Sequence, residues 1–230
     1  MRHKGRAMAD RPVGILMLET RFPRFVGDIG NPASFDFPVL YRTVPRARPD
    51  RVVCQDPAPL LPAFIEAGRA LIDQGARGIT TSCGFLTLFQ RELSTALDVP
   101  VLTSSLYEVA RQRRALPAGR TVGILTISAA SLSSAHLRAA QVPKDCPIGA
   151  PVAGGAFATA ILGNRARLDR DLARGENLAA ARRLVAAHPT IDALVLECTN
   201  MGPYAGAIAA ETGVQVHSIL TALARFQRTL

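Results

Sequence analysis

The chain has 230 residues, 48% of them hydrophobic and 20% charged, an ordinary globular composition that leaves room for one large domain or two lobes of about 100 residues each. Its formal charge of +9 is carried almost wholly by arginine, with Lys4 and Lys144 the only lysines, which favours a small anionic substrate; 5% aromatics, no Trp and unclustered arginines argue against a nucleic-acid surface. No run reaches about 18 apolar residues, so no membrane span is expected, and residues 1–12, which lack the apolar stretch of a signal peptide, read as a flexible N-terminal tail of a cytoplasmic protein with reduced thiols.

Val13-Gly14-Ile15-Leu16-Met17 reads as a short buried strand. A Gly- and Pro-rich stretch over 19–50 follows and reads as a long functional loop leaving the carboxyl end of that strand. A helix is expected next, with Pro62 in its first turn, Gly75 just past its end, and Phe64, Ile65, Leu71 and Ile72 at helical spacing. Ile79-Thr80-Thr81-Ser82-Cys83 reads as a strand, Leu86 to Ala96 as a helix, and Val99-Pro100-Val101 as another strand. Pro117 and Gly119 place a linker over Arg111–Arg120.

The pattern then repeats. Val122-Gly123-Ile124-Leu125-Thr126 nearly duplicates the first strand, and 141–156 reads as a second long loop. Asn177 reads as the N-cap of a helix carrying Leu178, Leu184 and Val185 on one face. Leu194-Val195-Leu196-Glu197-Cys198 is the next strand, Tyr204 to Glu211 a helix, and Val214-Gln215-Val216 a strand. Cys83 precedes its following strand by sixteen residues and Cys198 precedes its own by the same sixteen. The expected fold class is α/β with two pseudo-symmetric lobes, each a parallel sheet flanked by helices. The first lobe takes 13–113 plus 214–230, the last segment crossing back to it, and the second takes 114–213.

There are four cysteines, none in a C-x-x-C pair, and the four histidines do not combine with them into a zinc pattern, so no metal site is expected. Cys54 and Cys146 have no counterpart in the repeat and read as packing residues. Cys83 and Cys198 hold equivalent positions at strand ends, each just ahead of a helix. Ligands of parallel α/β sheets bind at the carboxyl ends of strands. A helix N-terminus favours a thiolate and offers N–H groups to a carboxylate. Two lobes facing each other would set the thiols on opposite sides of one cleft, where one removes a proton beside a carboxylate and the other returns a proton to the opposite face, with no cofactor.

The motifs Thr80-Thr81-Ser82-Cys83-Gly84-Phe85 and Glu197-Cys198-Thr199-Asn200-Met201, the two Val-Gly-Ile-Leu strands and Gly27-Asp28-Ile29-Gly30-Asn31-Pro32 resemble the aspartate/glutamate racemase superfamily, including its hydantoin racemase-like branch. The resemblance implies two pseudo-symmetric lobes, no pyridoxal phosphate and no metal. It implies Cys83 and Cys198 as the proton-transferring pair, and Asn31, Ser82, Gly84, Thr126, Thr199 and Asn200 as substrate-binding residues. It is compatible with a homo-oligomer, since superfamily relatives commonly associate. Gly84-Phe85 stands where amino-acid racemases of this group often have Asn-Thr, and Asn200 where many have His or Glu, which leaves the substrate and its α-amino group open. Phe85 reads first as a packing residue and secondly as a sign of an apolar pocket. His217, near the end of the last strand, reads as a lobe-interface histidine before a substrate-orienting one.

The function implied is a cofactor-independent racemase or epimerase acting on an amino acid or a related small chiral acid or hydantoin. The alternatives are a maleate-isomerase-like cis–trans isomerase using a cysteine nucleophile, and a ligand-binding relative without turnover. A thiol redox protein ranks below both without a C-x-x-C motif. Arylmalonate decarboxylase-like members use one cysteine, so the presence of both argues against that reading.

Overall fold

The computed structural model describes residues 11–230, so the expected tail over 1–12 lies, save its last two residues, outside the described residues. Two four-stranded sheets, all parallel, carry the fold. In the first, β1 (Val13–Met17) lies between β2 (Val39–Thr43) and β3 (Gly78–Thr81), with β4 (Val101–Leu102) beyond β3. In the second, β5 (Thr121–Leu125) lies between β6 (Ile148–Gly149) and β7 (Ile191–Leu196), with β8 (Gln215–His217) beyond β7. The four central strands are buried nearly throughout, as parallel strands covered on both faces must be.

The repeated Val-Gly-Ile-Leu has a packing cause. A Cβ on Gly14 would lie 2.7 Å from Ile79 Cδ1 and 3.1 Å from Leu71 Cβ, so the missing side chain lets the helix Leu61–Asp73 settle on the sheet. Gly123 does the same in the second lobe, where a Cβ would meet Ile191 Cδ1 at 2.8 Å and Leu184 Cδ2, on the helix Arg170–Ala187, at 3.3 Å. The helix Leu61–Asp73 buries Phe64, Ala67, Gly68 and Leu71, one face at helical spacing, while Ile65 and Ile72 pack only at its margin.

The structure departs from the sequence reading at several elements. Asn177 is no N-cap. Asp169 caps that helix by accepting from the Asp171 and Leu172 backbone N–H groups, and Asn177 is buried mid-helix with Nδ2 donating to Ala173 O at 2.8 Å. The polar first turns of this helix hid its start, because the apolar spacing begins only at Leu178. The stretches 19–50 and 141–156 are not wholly irregular, since each contains an edge strand, β2 and β6. β2 is half exposed and β6 only two residues long, so neither shows an apolar run.

The lobe boundaries also shift. β8 pairs with β7, His217 opposite Val195, so the return to the first lobe begins at Ser218 rather than at 214. The helix Ile219–Gln227, opened by a Ser218–Thr221 capping box, buries Ile219 and Leu223 against Val13, Ile15 and Ile29. The helix Tyr107–Ala115 fills half of the expected linker and packs against β5 and β7. Each half of the chain thus lends its last helix to the other half's sheet. No helix among the described residues is long and apolar enough to cross a membrane.

Candidate active site

In each sheet the chain leaves the two central strands in opposite directions, opening a crevice at their carboxyl ends. The two crevices face each other. Cys83 lies two residues past β3 and begins the 3-10 turn Gly84–Phe89. Cys198 lies two residues past β7 and begins the 3-10 turn Thr199–Tyr204. Both thiols line one small cavity, and they are 8% and 7% exposed. Leu18, Phe22, Phe85, Ile127 and Ile161 give it apolar walls, and Arg24 and Glu197 are the charged residues on it.

Four hydrogen bonds hold the site together, three of them across the two halves of the chain. Thr199 Oγ1 donates to Ser82 O at 2.7 Å, and Ser82 Oγ accepts from Leu18 N at 2.9 Å. Asn200 Nδ2 donates to Asp28 Oδ2 at 2.7 Å, and Ser105 Oγ donates to Leu196 O at 2.7 Å. Each satisfies a polar group withdrawn from water, so each is costly to remove.

Of the residues expected from sequence, Cys83, Cys198, Ser82, Gly84, Thr199 and Asn200 all line this cavity. Thr126 and Asn31 do not. Thr126 Oγ1 donates to Glu197 Oε2 at 2.7 Å and so acts through that carboxylate. Asn31 braces its own loop, with Oδ1 accepting from Ala33 N and Nδ2 donating to Arg24 O. His217 lies away from the cavity, where its Nδ1 meets Gln112 Nε2 at 3.2 Å across the lobes. Phe85 is both a packing residue, its ring edge-on to His136, and a wall of the cavity. Cys54 is exposed and Cys146 buried, both free and neither on the cavity. Among the described residues no three His, Cys, Asp or Glu side chains gather in a way that could hold a metal ion.

Sequence reasoning passed over Arg24 and Glu197. Arg24 Nη1 donates to Asp28 Oδ1 at 2.8 Å and Nη2 to Thr20 Oγ1 at 3.0 Å, and its guanidinium lies over the Phe22 ring at 4.6 Å. Its signal was the Arg21-Phe22-Pro23-Arg24-Phe25 run in the loop already singled out. Glu197 is fully buried, with Oε1 lacking any hydrogen-bond partner. A lone carboxylate in an otherwise apolar strand is itself a signal, since burying a charge is costly without a reason.

The thiols do not have the lowered pKa expected from helix ends. Burial pushes Cys83 up to about 12, reinforced by the Glu197 carboxylate and opposed by the Phe85 backbone N–H and by Arg24. Burial, then Glu197, pushes Cys198 well above the ordinary thiol range. The turns after the cysteines are short and 3-10 in form, so the helix dipole is weak while desolvation is complete. Glu197 is itself pushed up by burial to about 7, with Thr126 pulling the other way.

The chain is 27% identical over 230 residues to a dimethylsulfoniopropionate lyase of Durusdinium sp. clade D, covering 94% of this chain and 74% of that protein. It is 30% identical over 235 residues to dimethylsulfoniopropionate lyase 7 of Emiliania huxleyi, covering 95% of this chain and 67% of that protein. The chain belongs to the dimethylsulfoniopropionate lyase family. No protein-family model matches it. As a member of this lyase family it has the fold of the aspartate/glutamate racemase superfamily. Arylmalonate decarboxylase superposes with a TM-score of 0.62 at 17% identity, covering 95% of this chain and 92% of that one. Glutamate racemase from Francisella tularensis, in complex with D-glutamate, superposes at 0.58 and 16%, covering 96% and 81%. The expected resemblance therefore holds for the fold, and an enzymatic role acting on a small molecule holds with it. The activity that the relatives' names carry is a lyase's rather than the expected isomerase's.

Proposed function

We propose that this chain is a cofactor-independent lyase that eliminates dimethyl sulfide from dimethylsulfoniopropionate or a closely similar onium carboxylate. The observation that carries this reading is similarity over 94% and 95% of this chain to two dimethylsulfoniopropionate lyases, in a chain whose two buried thiols share one small, largely apolar cavity. Arg24 holds the substrate carboxylate. The thiolate of Cys83 removes a proton from the carbon beside that carboxylate. The electron pair left behind becomes the carbon–carbon double bond, and the carbon–sulfur bond breaks with its pair going to sulfur. Acrylate and neutral dimethyl sulfide leave, and the proton on Cys83 returns to solvent. No oxidant or reductant is needed.

Cys83 suits the base better than Cys198. The Phe85 N–H and the Arg24 charge stabilise its thiolate. Cys198 Sγ lies 3.7 Å from Asn200 Oδ1, which accepts from it and so favours the thiol. A thiolate with a raised pKa is scarce but strongly basic, as the weak acidity of a carbon next to a carboxylate demands.

A second reading keeps the expected racemase or epimerase. It rests on the equivalent positions of the two thiols, which would serve opposite faces of one chiral carbon. One experiment separates the two. The purified chain is given dimethylsulfoniopropionate, and separately a panel of amino acids and hydantoins in deuterated water. Dimethyl sulfide and acrylate in equal amounts, lost in Cys83→Ser, support the lyase. Deuterium at the α-carbon of a chiral acid with no dimethyl sulfide from the sulfonium compound overturns it in favour of the racemase.

A further inference from the structure

The carboxylate that the proton-transfer chemistry leaves unused is Glu197. It is fully buried and lines the cavity, Thr126 occupies Oε2, and Oε1 is without a hydrogen-bond partner. Its backbone adjoins Cys198, and its Oε1 lies so close to Gly84 that a Cβ there would be 2.4 Å away. One carboxylate therefore touches the loops of both thiols, and the glycine after Cys83 is what makes room for it. The aromatic ring of Phe85 lines the same space, while the Phe22 ring is covered by the Arg24 guanidinium.

An ionised carboxylate in such a place is costly unless something positive joins it. Arg24 gives its two terminal nitrogens to Asp28 and Thr20, and the Nε left without a partner is the donor that meets the substrate carboxylate, so Arg24 does not serve Glu197. We propose that Glu197 recognises the positive charge of the substrate, holding the cationic head of a sulfonium or quaternary ammonium carboxylate beside the Phe85 ring. This rests on the onium-carboxylate reading of the site and assigns its specificity. Aromatic faces attract onium groups for the same electrostatic reason. A dicarboxylate would be repelled, and a neutral acid would leave the charge uncompensated. The positive charge disappears when the carbon–sulfur bond breaks, so Glu197 is a specificity residue whose loss is felt in KM more than in kcat.

The test uses two ligands of the same shape, 3-(trimethylammonio)propionate and 4,4-dimethylpentanoate, which differ in whether the branched head carries a charge. Their affinities for the full chain are measured by calorimetry, on wild type and on Glu197→Gln. Wild type is expected to prefer the carboxylate with the cationic head by about tenfold or more, and the variant to lose that preference while still binding the carboxylate with the uncharged head. The second ligand thereby reports that the variant is folded.

Should the variant not fold, wild type alone suffices. The thiols Cys83 and Cys198 are the titratable groups that interact with Glu197, with Arg24 and Asp28 the charges beyond them; both thiols are pushed far up, whereas the Glu197 carboxyl is raised to about 7. The preference for the cationic head should then grow between about pH 6 and about pH 8. Equal wild-type affinity for both ligands, or a preference that survives in Glu197→Gln, overturns the role of Glu197 and leaves the site reading intact. Failure of wild type to bind either ligand overturns the site reading itself.

Discussion

Glu197 and Gly84 compete for one space: a Cβ on residue 84 would lie 2.4 Å from Glu197 Oε1 and 2.5 Å from Glu197 backbone O. The second contact is to backbone, so a side chain cannot simply swing away. Gly84→Ala is expected to destabilise the fold by about 1–3 kcal/mol, as overpacking does, and to displace the carboxylate from the cavity. Gly206, inside the helix Ala205–Thr212, has nothing within 4 Å of its would-be Cβ. Gly206→Ala should stabilise by about 0.5–1 kcal/mol through helix propensity alone. Denaturant unfolding of both variants checks the pair; equal effects would mean that the Glu197–Gly84 contact is not tight.

Burial of Glu197 makes stability depend on pH. Its carboxyl is raised to about 7 in the fold. A raised group contributes stability that is present in full below its ordinary unfolded value and is lost as pH rises through the folded one. Wild type should therefore lose about 3 kcal/mol between about pH 4 and about pH 8 from this group, and Glu197→Gln should lose none of it. The measurement is the difference in unfolding free energy between the two proteins at each pH. A gap that does not widen toward pH 8 would show the carboxyl to be solvated.

Much of this was legible in the residues. The Val-Gly-Ile-Leu repeat and the matched cysteine offsets give two parallel lobes and a thiol pair, because short buried strands and glycine contacts leave strong local signals. The edge strands β2 and β6 escaped because strands that are half exposed or two residues long leave none. Asn31 and Thr126 were placed on the substrate through resemblance, and the structure instead sets them one contact away, on Arg24 and Glu197. Helix-end reasoning put the thiol pKa on the low side, since a sequence shows which residue precedes a helix but not how completely the sulfur is buried.

The thiols differ sharply in exposure. Cys54 is exposed, whereas Cys83 and Cys198 are buried and held as thiols, Cys83 up to about 12. Iodoacetamide at about pH 8 should label Cys54 first and leave the cavity pair largely intact, because only the thiolate reacts. For the same reason kcat/KM should rise with pH across the alkaline range without levelling below about pH 10. Peptide mapping by mass spectrometry reads the first expectation and a pH–rate profile the second; rapid labelling of Cys83 at neutral pH would contradict both.

Asn164 ties the two walls of the cavity together. Its Oδ1 accepts from Arg21 N at 2.6 Å, and its Nδ2 donates to Glu19 O at 3.1 Å, joining the second lobe to the loop that carries Thr20, Phe22 and Arg24. It follows the helix Ala156–Leu162, whose Ile161 lines the opposite wall, and it adopts a left-handed backbone at φ 48°. Asn tolerates that conformation better than most residues, and Gly best of all. Asn164→Gly removes the two hydrogen bonds alone and should cost about 1–2 kcal/mol. Asn164→Ala adds backbone strain and should cost about 1 kcal/mol more. Both variants keep the thiols, Arg24 and Glu197, so the loosened wall should raise KM with kcat nearly unchanged, and amide hydrogen exchange over residues 19–22 should quicken. An unchanged KM and exchange rate in Asn164→Gly would mean that apolar packing alone closes the cavity.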